Sequence, residues 1–442
     1  MFFKKLFPQK LKNYGKHLPA AVLANLSYQR PSKKLKLIGV TGTDGKTTTS
    51  YLIHYFLTRA GFKTGLVSSI LAKIGAEEVS TGFHVTTPSP IKLQGFLKKM
   101  LKQKVNYAVL ETTSHGWDQF RLWGCRFEVG VLTNITHEHL DYHHTYEQYL
   151  AAKFKLLLAS QKAVVNADDE SFDYIKRKLK KPTLTYGIKN QANLRALRIK
   201  QSLRGTRFVL LIEKGKFQGR YEIKTALLGE FNVANQLAAI GAGITFGLSP
   251  IKMAEWLLEF PGVVGRMENI NNKKGVKAYI DFAHTPNALK SALTTLRQIM
   301  PKSKKLIVIF GAAGLRDSQK RPFMGQVAAR LADYAVFTSE DPRTEDPQKI
   351  IKEISKGARS QSWKKLSKRK AKIGRLAQSR GFFVLPHRQE AINFAIRKLA
   401  SKGDFVISCG KGHERSMCFG KTEYPWSEHK AVEVALKGRR KK

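Results

Sequence analysis

The sequence predicts a multidomain α/β protein, and three observations carry that prediction. From Leu35 onward, short apolar runs alternate with Gly- or Asp-rich loops and segments of helical periodicity. The runs are apolar throughout, as strands buried on both faces of a parallel sheet are. At 442 residues the chain exceeds what one compact core accommodates. We expect a short helical and basic segment over 1–34, a central domain over 35–262 with a mostly parallel sheet and a small β insertion, and a second α/β domain over 263–442.

In chain order, KLIGV before Thr41, NYAVL before Glu111, GVLTN ending at Asn134 and AVVNA before Asp168 read as parallel strands, each followed by polar, ligand-ready residues. Ligands of open α/β sheets lie at the carboxyl ends of the strands, so these loops are expected to converge. Between Ala192 and Leu228 the rhythm changes: RFVLLIEKGKFQGRYEI alternates polar and apolar residues, which predicts antiparallel hairpin strands. A second βα series with the runs KAYIDF, KLIVIFG, DYAVFTS and DFVISCG begins near Lys277, which places the boundary between Pro261 and Asn272.

Composition narrows the class. Hydrophobic residues make up 42% and charged residues 25%, as in ordinary folded chains. Lys and Arg number 78 against 33 Asp and Glu, a net charge of +45 that attracts polyanions. This charge is spread over the whole chain and comes without a finger, homeodomain or RNA-binding signature, so no specific nucleic-acid partner is expected. Weak attraction to anionic surfaces is compatible with it. The three cysteines, Cys125, Cys409 and Cys418, lack paired or metal-type spacing, which argues for a reducing compartment. MFFKKLF is too short for a signal-peptide core, and no run approaches the roughly 18 apolar residues of a membrane helix. A cytoplasmic, monomeric protein is expected.

The strongest local signal is IGVTGTDGKTTTS, a glycine-bearing P-loop between a strand and an amphipathic helix starting near Thr48. Its glycines admit backbone N–H groups to phosphates, and the helix N-terminus favours their charge. Lys46 reaches the terminal phosphates and Thr47 is placed to ligate Mg²⁺. Gly42, Thr43, Asp44, Gly45, Lys46, Thr47 and Thr48 are therefore the expected nucleotide contacts. The common spacing wants Gly at Val40, whereas here the glycines sit at 39 and 42. Glu111 ends its strand facing that loop, where a carboxylate holds Mg²⁺. The segment THEHLDYHHTYEQYLAAKFKLL gathers His137, His139, His143 and His144 with Glu138 and Asp141. It lacks the HExxH pattern of a zinc helix, and a loop reaching Mg²⁺ and phosphate fits its position best.

Together TGTDGKTTT, TTP at Thr86–Pro88, ETTSHG from Glu111, TNITHEHLDYH and AAK resemble the Mur ligase family. Downstream, GEFNVANQLAA, GRME, DFAHTPNAL, GLRDSQKRPFMG, TSEDPRTEDP and GKGHE follow in the order of its tripeptide-synthetase branch, from about Leu35 to about Leu436. The resemblance implies a Rossmann-like C-terminal domain and ATP-dependent amide ligation. In that reaction a peptide carboxylate takes the γ-phosphate of ATP, and an incoming amine displaces it. It implies catalytic roles for Lys46, Glu111, His139 and Lys153, with Thr47, Glu111, His139 and a carbamylated Lys153 as metal ligands. Asn232, Asn235, Arg266, Asp281 and His284 are implied near ATP. Thr86, Thr87, Thr113, Gln119 and Arg121 are implied for a nucleotide-linked peptide, and Arg316, Asp341, Arg343, Gly410 and Glu414 for the added amino acid.

Two departures qualify the likeness. The diaminopimelate-adding branch reads D-N-P-R where this chain has Glu340, Asp341, Pro342 and Arg343, so the diamine is open between meso-diaminopimelate and lysine. Arg343 favours diaminopimelate because lysine has no distal carboxylate. Only about 34 residues precede the first strand, so the family's uridine-gripping N-terminal domain is not expected. A folylpolyglutamate synthase-like ligase and, from another class, a nucleic-acid-stimulated P-loop ATPase are the competing readings.

Overall fold

The computed structural model describes residues 9–82, 85–136, 140–143, 145–369 and 379–437. They form two compact units. The first runs to Lys200 and includes Gly205–Ala226 and Glu230–Pro261; the second takes Gln201–Arg204, Leu227–Gly229 and the chain from Gly262.

The first unit is built on one sheet. Its strands are β1 (Lys36–Thr41), β2 (Thr64–Val67), β3 (Ala72–Ile74), β4 (Glu77–Val79), β5 (Tyr107–Glu111), β6 (Phe127–Leu132), β7 (Ser160–Asn166), β8 (Thr183–Gly187), β9 (Leu194–Ser202), β10 (Gly205–Ile212) and β11 (Gly219–Thr225). Among the described residues they run β11-β10-β9-β8-β7-β6-β1-β5-β2-β3-β4. β1 lies between β5 and β6, parallel to both, with Val40 opposite Glu111 on one side and Thr41 opposite Leu132 on the other. That register brings three carboxyl ends to one edge. Leu37, Ile38 and Val40 are wholly buried, as a run apolar on both faces requires.

The alternating stretch forms β9, β10 and β11, with β10 and β11 antiparallel. It extends the main sheet, because β9 pairs in parallel with β8 at Tyr186 and Leu194. Helix Tyr146–Ala159 packs over the centre, where Leu156 lies against Gly39 and Gly130. Helix Glu230–Thr245 covers β7 and β8 and also meets helix Lys46–Arg59.

The second unit has its own sheet: β12 (Glu268–Ile270), β13 (Lys277–Asp281), β14 (Leu306–Phe310), β15 (Tyr334–Phe337), β16 (Lys364–Lys365), β17 (Gly381–Val384) and β18 (Phe405–Cys409). The order is β12-β13-β18-β14-β15-β17-β16 among the described residues, with only β12 antiparallel to its neighbour. Ile307, Ile309, Val336, Phe383 and Val406 pack with Ala391, Ile392 and Val432 in its core. A hairpin of β19 (Ser416–Phe419) and β20 (Thr422–Pro425) follows β18.

Candidate active site

In the first unit the site grows from β1. Its chain leaves Thr41 into Gly42 (φ 149°) and Gly45 (φ 81°), and the helix starts at Lys46. A Cβ on Gly42 would stand 1.8 Å from Thr133 Oγ1, and one on Gly45 2.1 Å from Asn235 Oδ1. Only glycine fits either place, and Gly45 also needs the left-handed backbone. The loop is clamped from β6: Thr43 N donates to Asn134 O (2.7 Å), Asp44 N to Asn134 Oδ1 (2.9 Å), and Thr133 Oγ1 to Asp44 O (2.6 Å). Asn235 Nδ2 donates to Asn232 Oδ1 (3.1 Å), both side chains being buried beneath the loop in helix Glu230–Thr245.

Three charged groups of this unit meet the loop. Lys46 Nζ donates to Thr43 O at 2.6 Å. The Lys153 side chain, 2% exposed, reaches inward from helix Tyr146–Ala159; its ammonium donates to Gly42 O at 2.5 Å and lies 4.5 Å from the Tyr149 ring centre. Burying an ammonium beside a phosphate-type loop is costly unless function or pairing requires it. Glu111 is also buried. It accepts from Thr47 Oγ1 at 3.1 and 3.2 Å, from Ser69 Oγ at 2.9 Å and from Ser69 N at 2.9 Å. A hydroxyl and a carboxylate side by side are a donor set for a hard divalent cation. Thr48 is buried in the first helical turn. His139 lies outside the described residues, as do His137, Glu138 and His144. His143 packs on the rings of His115, Tyr142 and Tyr149.

The expected peptide contacts gather around Glu111. Thr86 Oγ1 lies 3.0 Å from Ser69 Oγ, and Thr87 Oγ1 lies 3.1 Å from Thr113 Oγ1. Thr113 caps helix Ser114–Asp118 by accepting from Gly116 N. Arg121 donates to Thr87 O (2.6 Å) and holds Gln119 Oε1 with Nε and Nη2. Burial pulls the Arg121 guanidinium below its ordinary value. Ser69, Thr133, Asn134 and Tyr149 are the participants that sequence reasoning gave no role. Thr133 and Asn134 stood in a quoted motif, whereas nothing in LVSS marks Ser69.

In the second unit, loops after β13, β14, β15 and β18 form a separate cluster. Asp281 accepts from Met267 N (2.6 Å) and Ala283 N (2.7 Å), so its carboxylate ties GRME to DFAH. Arg266 lies 4.4 Å over the Phe282 ring, which also contacts His284 and His413. Asp341 accepts from Lys411 Nζ (2.9 and 3.0 Å) and from Cys418 N (3.0 Å), while Lys411 also reaches Glu414 at 2.6 Å. Burial works against the Lys411 charge, but Glu414 and Asp341 outweigh it and hold the ammonium above its ordinary range.

Arg343 adopts φ 52°, and its backbone is fixed on both sides by Cys418 O and Gly420 N. Its Nη1 donates to Gly314 O at 2.6 Å. Arg316 is exposed on the loop after β14. Gly410 (φ 104°) abuts Glu340, whose carboxyl is pushed up to about 7 by burial and Asp341, against the pull of Lys411, Arg388 and Lys320. Beneath them Arg388 and Glu428 form a buried bidentate pair at 2.8 and 2.9 Å. Lys411, Glu340 and this pair were not singled out as site residues; the lysine stood inside GKGHE without a role.

Residues 40–243 match the Mur ligase middle domain, and residues 265–412 match the Mur ligase, glutamate ligase domain. The chain belongs to the Mur ligase family. It is an ATP-dependent carbon–nitrogen ligase, with the mixed α/β fold of that family. It is 36% identical over 427 residues to a UDP-N-acetylmuramoyl-L-alanyl-D-glutamate–2,6-diaminopimelate ligase of Bacillus velezensis, covering 94% of this chain and 81% of that one. To the ligase of the same name from Thermosynechococcus vestitus it is 38% identical over 426 residues, covering 95% and 80%. A solved structure of a ligase of that name superposes with a TM-score of 0.62 at 30% identity, covering 97% of this chain and 82% of that one. No helix among the described residues is long and apolar enough to cross a membrane.

Proposed function

We propose that this Mur ligase adds meso-diaminopimelate to UDP-N-acetylmuramoyl-L-Ala-D-Glu. The added residue is the part that the sequence left open, and Arg343 carries the choice. Its left-handed backbone and the bonds to Cys418, Gly420 and Gly314 fix a guanidinium whose remaining N–H donors suit a carboxylate. Diaminopimelate has a distal carboxylate and lysine does not. Asp341, where the branch has Asn, shares Lys411 with Glu414, so its negative charge is partly offset within the protein.

The chemistry joins two anions, so neutralising and positioning them is the catalytic task. The peptide carboxylate oxygen bonds to the γ-phosphorus as the bond to the ADP oxygen breaks. The amine nitrogen then bonds to the acyl carbon, phosphate leaves, and the amine gives up its proton. Lys46 and the amides of the glycine loop receive the phosphates. Thr47 and Glu111 would hold Mg²⁺, which when bound supplies neutralising charge at the phosphates; the paired hydroxyl and carboxylate fit it. His139 would complete that set. Lys153, as a carbamate, would supply a further oxygen ligand. Asn232, Asn235, Arg266, Asp281 and His284 serve the nucleotide end. Thr86, Thr87, Thr113, Gln119 and Arg121 hold the peptide, and Arg316, Asp341, Arg343, Gly410 and Glu414 the incoming amino acid. The test is phosphate release from ATP with the nucleotide dipeptide present. Release that requires diaminopimelate supports the proposal. Equal release with lysine removes the role given to Arg343, and release without any amino acid removes ligation by this route.

A further inference from the structure

In the first unit, helix Pro90–Lys102 packs against helix Leu18–Ser27. Gly95 leaves room for Tyr28, whose hydroxyl lies 3.5 Å from where a Cβ would stand. The result is a groove of about 580 Å³ whose lining includes Tyr28, Ile91, Lys92, Phe96, Lys99 and Lys102. Its charge is one-sided. Residues 9–43 and 79–110 contain no Asp or Glu, while Lys12, Lys16, Arg30, Lys33 and Lys34 precede β1. Lys99 stands 3.7 Å from Glu77, Lys98 bonds the neutral Gln29 at 2.6 Å, and Lys92 lies 5.6 Å from the Phe96 ring centre.

The same helices expose apolar side chains: Ile91 is 60% exposed at the groove, and Leu23 and Leu26 are 65% and 45% exposed on the neighbouring helix. Exposed aliphatic groups on the same helix pair as these lysines, among which Lys99 is paired with Glu77, suit the boundary between lipid headgroups and acyl chains. A nucleic-acid backbone would use the lysines but would leave Ile91 and the leucines without a partner. None of these residues contacts Lys46, Glu111 or Lys153 in the interactions described above.

We infer that this face docks the protein peripherally on an anionic lipid surface. The full chain is sedimented with vesicles of phosphatidylcholine alone and with vesicles containing about a third phosphatidylglycerol, at low and physiological salt. Binding is expected to the anionic vesicles only. The triple variant Lys92→Gln, Lys99→Gln, Lys102→Gln should lose about fivefold in partition coefficient per lysine removed at low salt. The matched variant Lys214→Gln, Lys216→Gln, Lys349→Gln, which removes the same charge elsewhere, should lose far less. Leu23→Ser with Ile91→Ser should weaken binding without changing net charge. ATP-dependent ligation in solution reports that each variant is folded. Equal losses for the two triple variants, or no effect of the Leu23 and Ile91 changes, would overturn the inference in favour of nonspecific attraction. Duplex DNA that binds through the same three lysines and displaces the vesicles would overturn it in favour of nucleic acid.

Discussion

Replacing Glu111 by Gln separates two roles that the structure gives this carboxylate. It crosslinks Thr47 to Ser69, and it is proposed to hold Mg²⁺. The amide satisfies the first role. Its oxygen takes the place of Oε2 and accepts from Ser69 N, while its NH₂ takes the place of Oε1 and donates to Ser69 Oγ, which lies 3.0 Å from Thr86 Oγ1. Charged hydrogen bonds worth roughly 1.5–3 kcal/mol become neutral ones worth roughly 1 kcal/mol, and relief from burying a carboxylate offsets much of the difference. The stability change should therefore stay within about 1 kcal/mol, a shift of roughly 2–4 °C for a unit of this size. The second role requires the charge. Loss of a metal-ligating carboxylate should slow ligation at least about a hundredfold, some 3 kcal/mol of barrier. Calorimetry and a phosphate-release assay across a Mg²⁺ titration read the two separately. A variant that retains ligation within about fivefold, at an unchanged Mg²⁺ requirement, would take Glu111 out of the metal site and leave it a structural crosslink.

Lys153→Ala should abolish ligation, while the folded parent protein in carbon-13-labelled bicarbonate should show a carbamate carbonyl resonance that the variant lacks. Full activity in rigorously bicarbonate-free buffer would exclude the carbamate. Glu340 titrates higher folded than unfolded, so the folded state binds more protons between the ordinary glutamate value of 4.5 and about 7. Stability contributed by its neutral form is therefore present at low pH and falls as pH rises through that window, by an amount on the order of 3 kcal/mol. Glu340→Gln should flatten that slope, and thermal midpoints compared at the two ends of the window read the difference. Arg388→Met should cost about 3–5 kcal/mol by stranding the buried Glu428 charge, and the double change with Glu428→Leu should recover much of it; chemical denaturation of all three proteins tests this. No recovery would mean that the pair holds Ser339, Ser408 and Cys409 in place as well as neutralising itself.

The sheet centres were legible because burial on both faces forces continuous apolar runs: β1, β5, β6 and β7 all stand out in the sequence. β2 to β4 and β8 were not singled out. β2 to β4 are short, and strands such as Glu77–Val79 carry charge at the sheet edge, while β8 reads TLTYG with polar residues between its apolar ones, so no apolar run announces them. Ligand loops were legible where glycine and lysine sit at a strand's end, as at Gly42, Gly45, Lys46 and Gly410. What could not be read was tertiary convergence. Ser69 bonds Glu111 across 42 positions, Lys411 bonds Asp341 across 70, and Arg388 meets Glu428 across 40. No periodicity encodes such pairs. Asp341 looked like the loss of an amide donor; with Lys411 beside it, it is one half of a buried ion pair.

The role of Arg343 in selecting the added amino acid is tested most directly by the mass of the product formed from ATP, UDP-N-acetylmuramoyl-L-Ala-D-Glu and equal concentrations of meso-diaminopimelate and L-lysine, with the parent protein and with Arg343→Ala. A tripeptide product containing diaminopimelate in large excess is expected, with loss of that preference in the variant. A product containing mainly lysine, or a preference unchanged by removing Arg343, would contradict selection of diaminopimelate by Arg343.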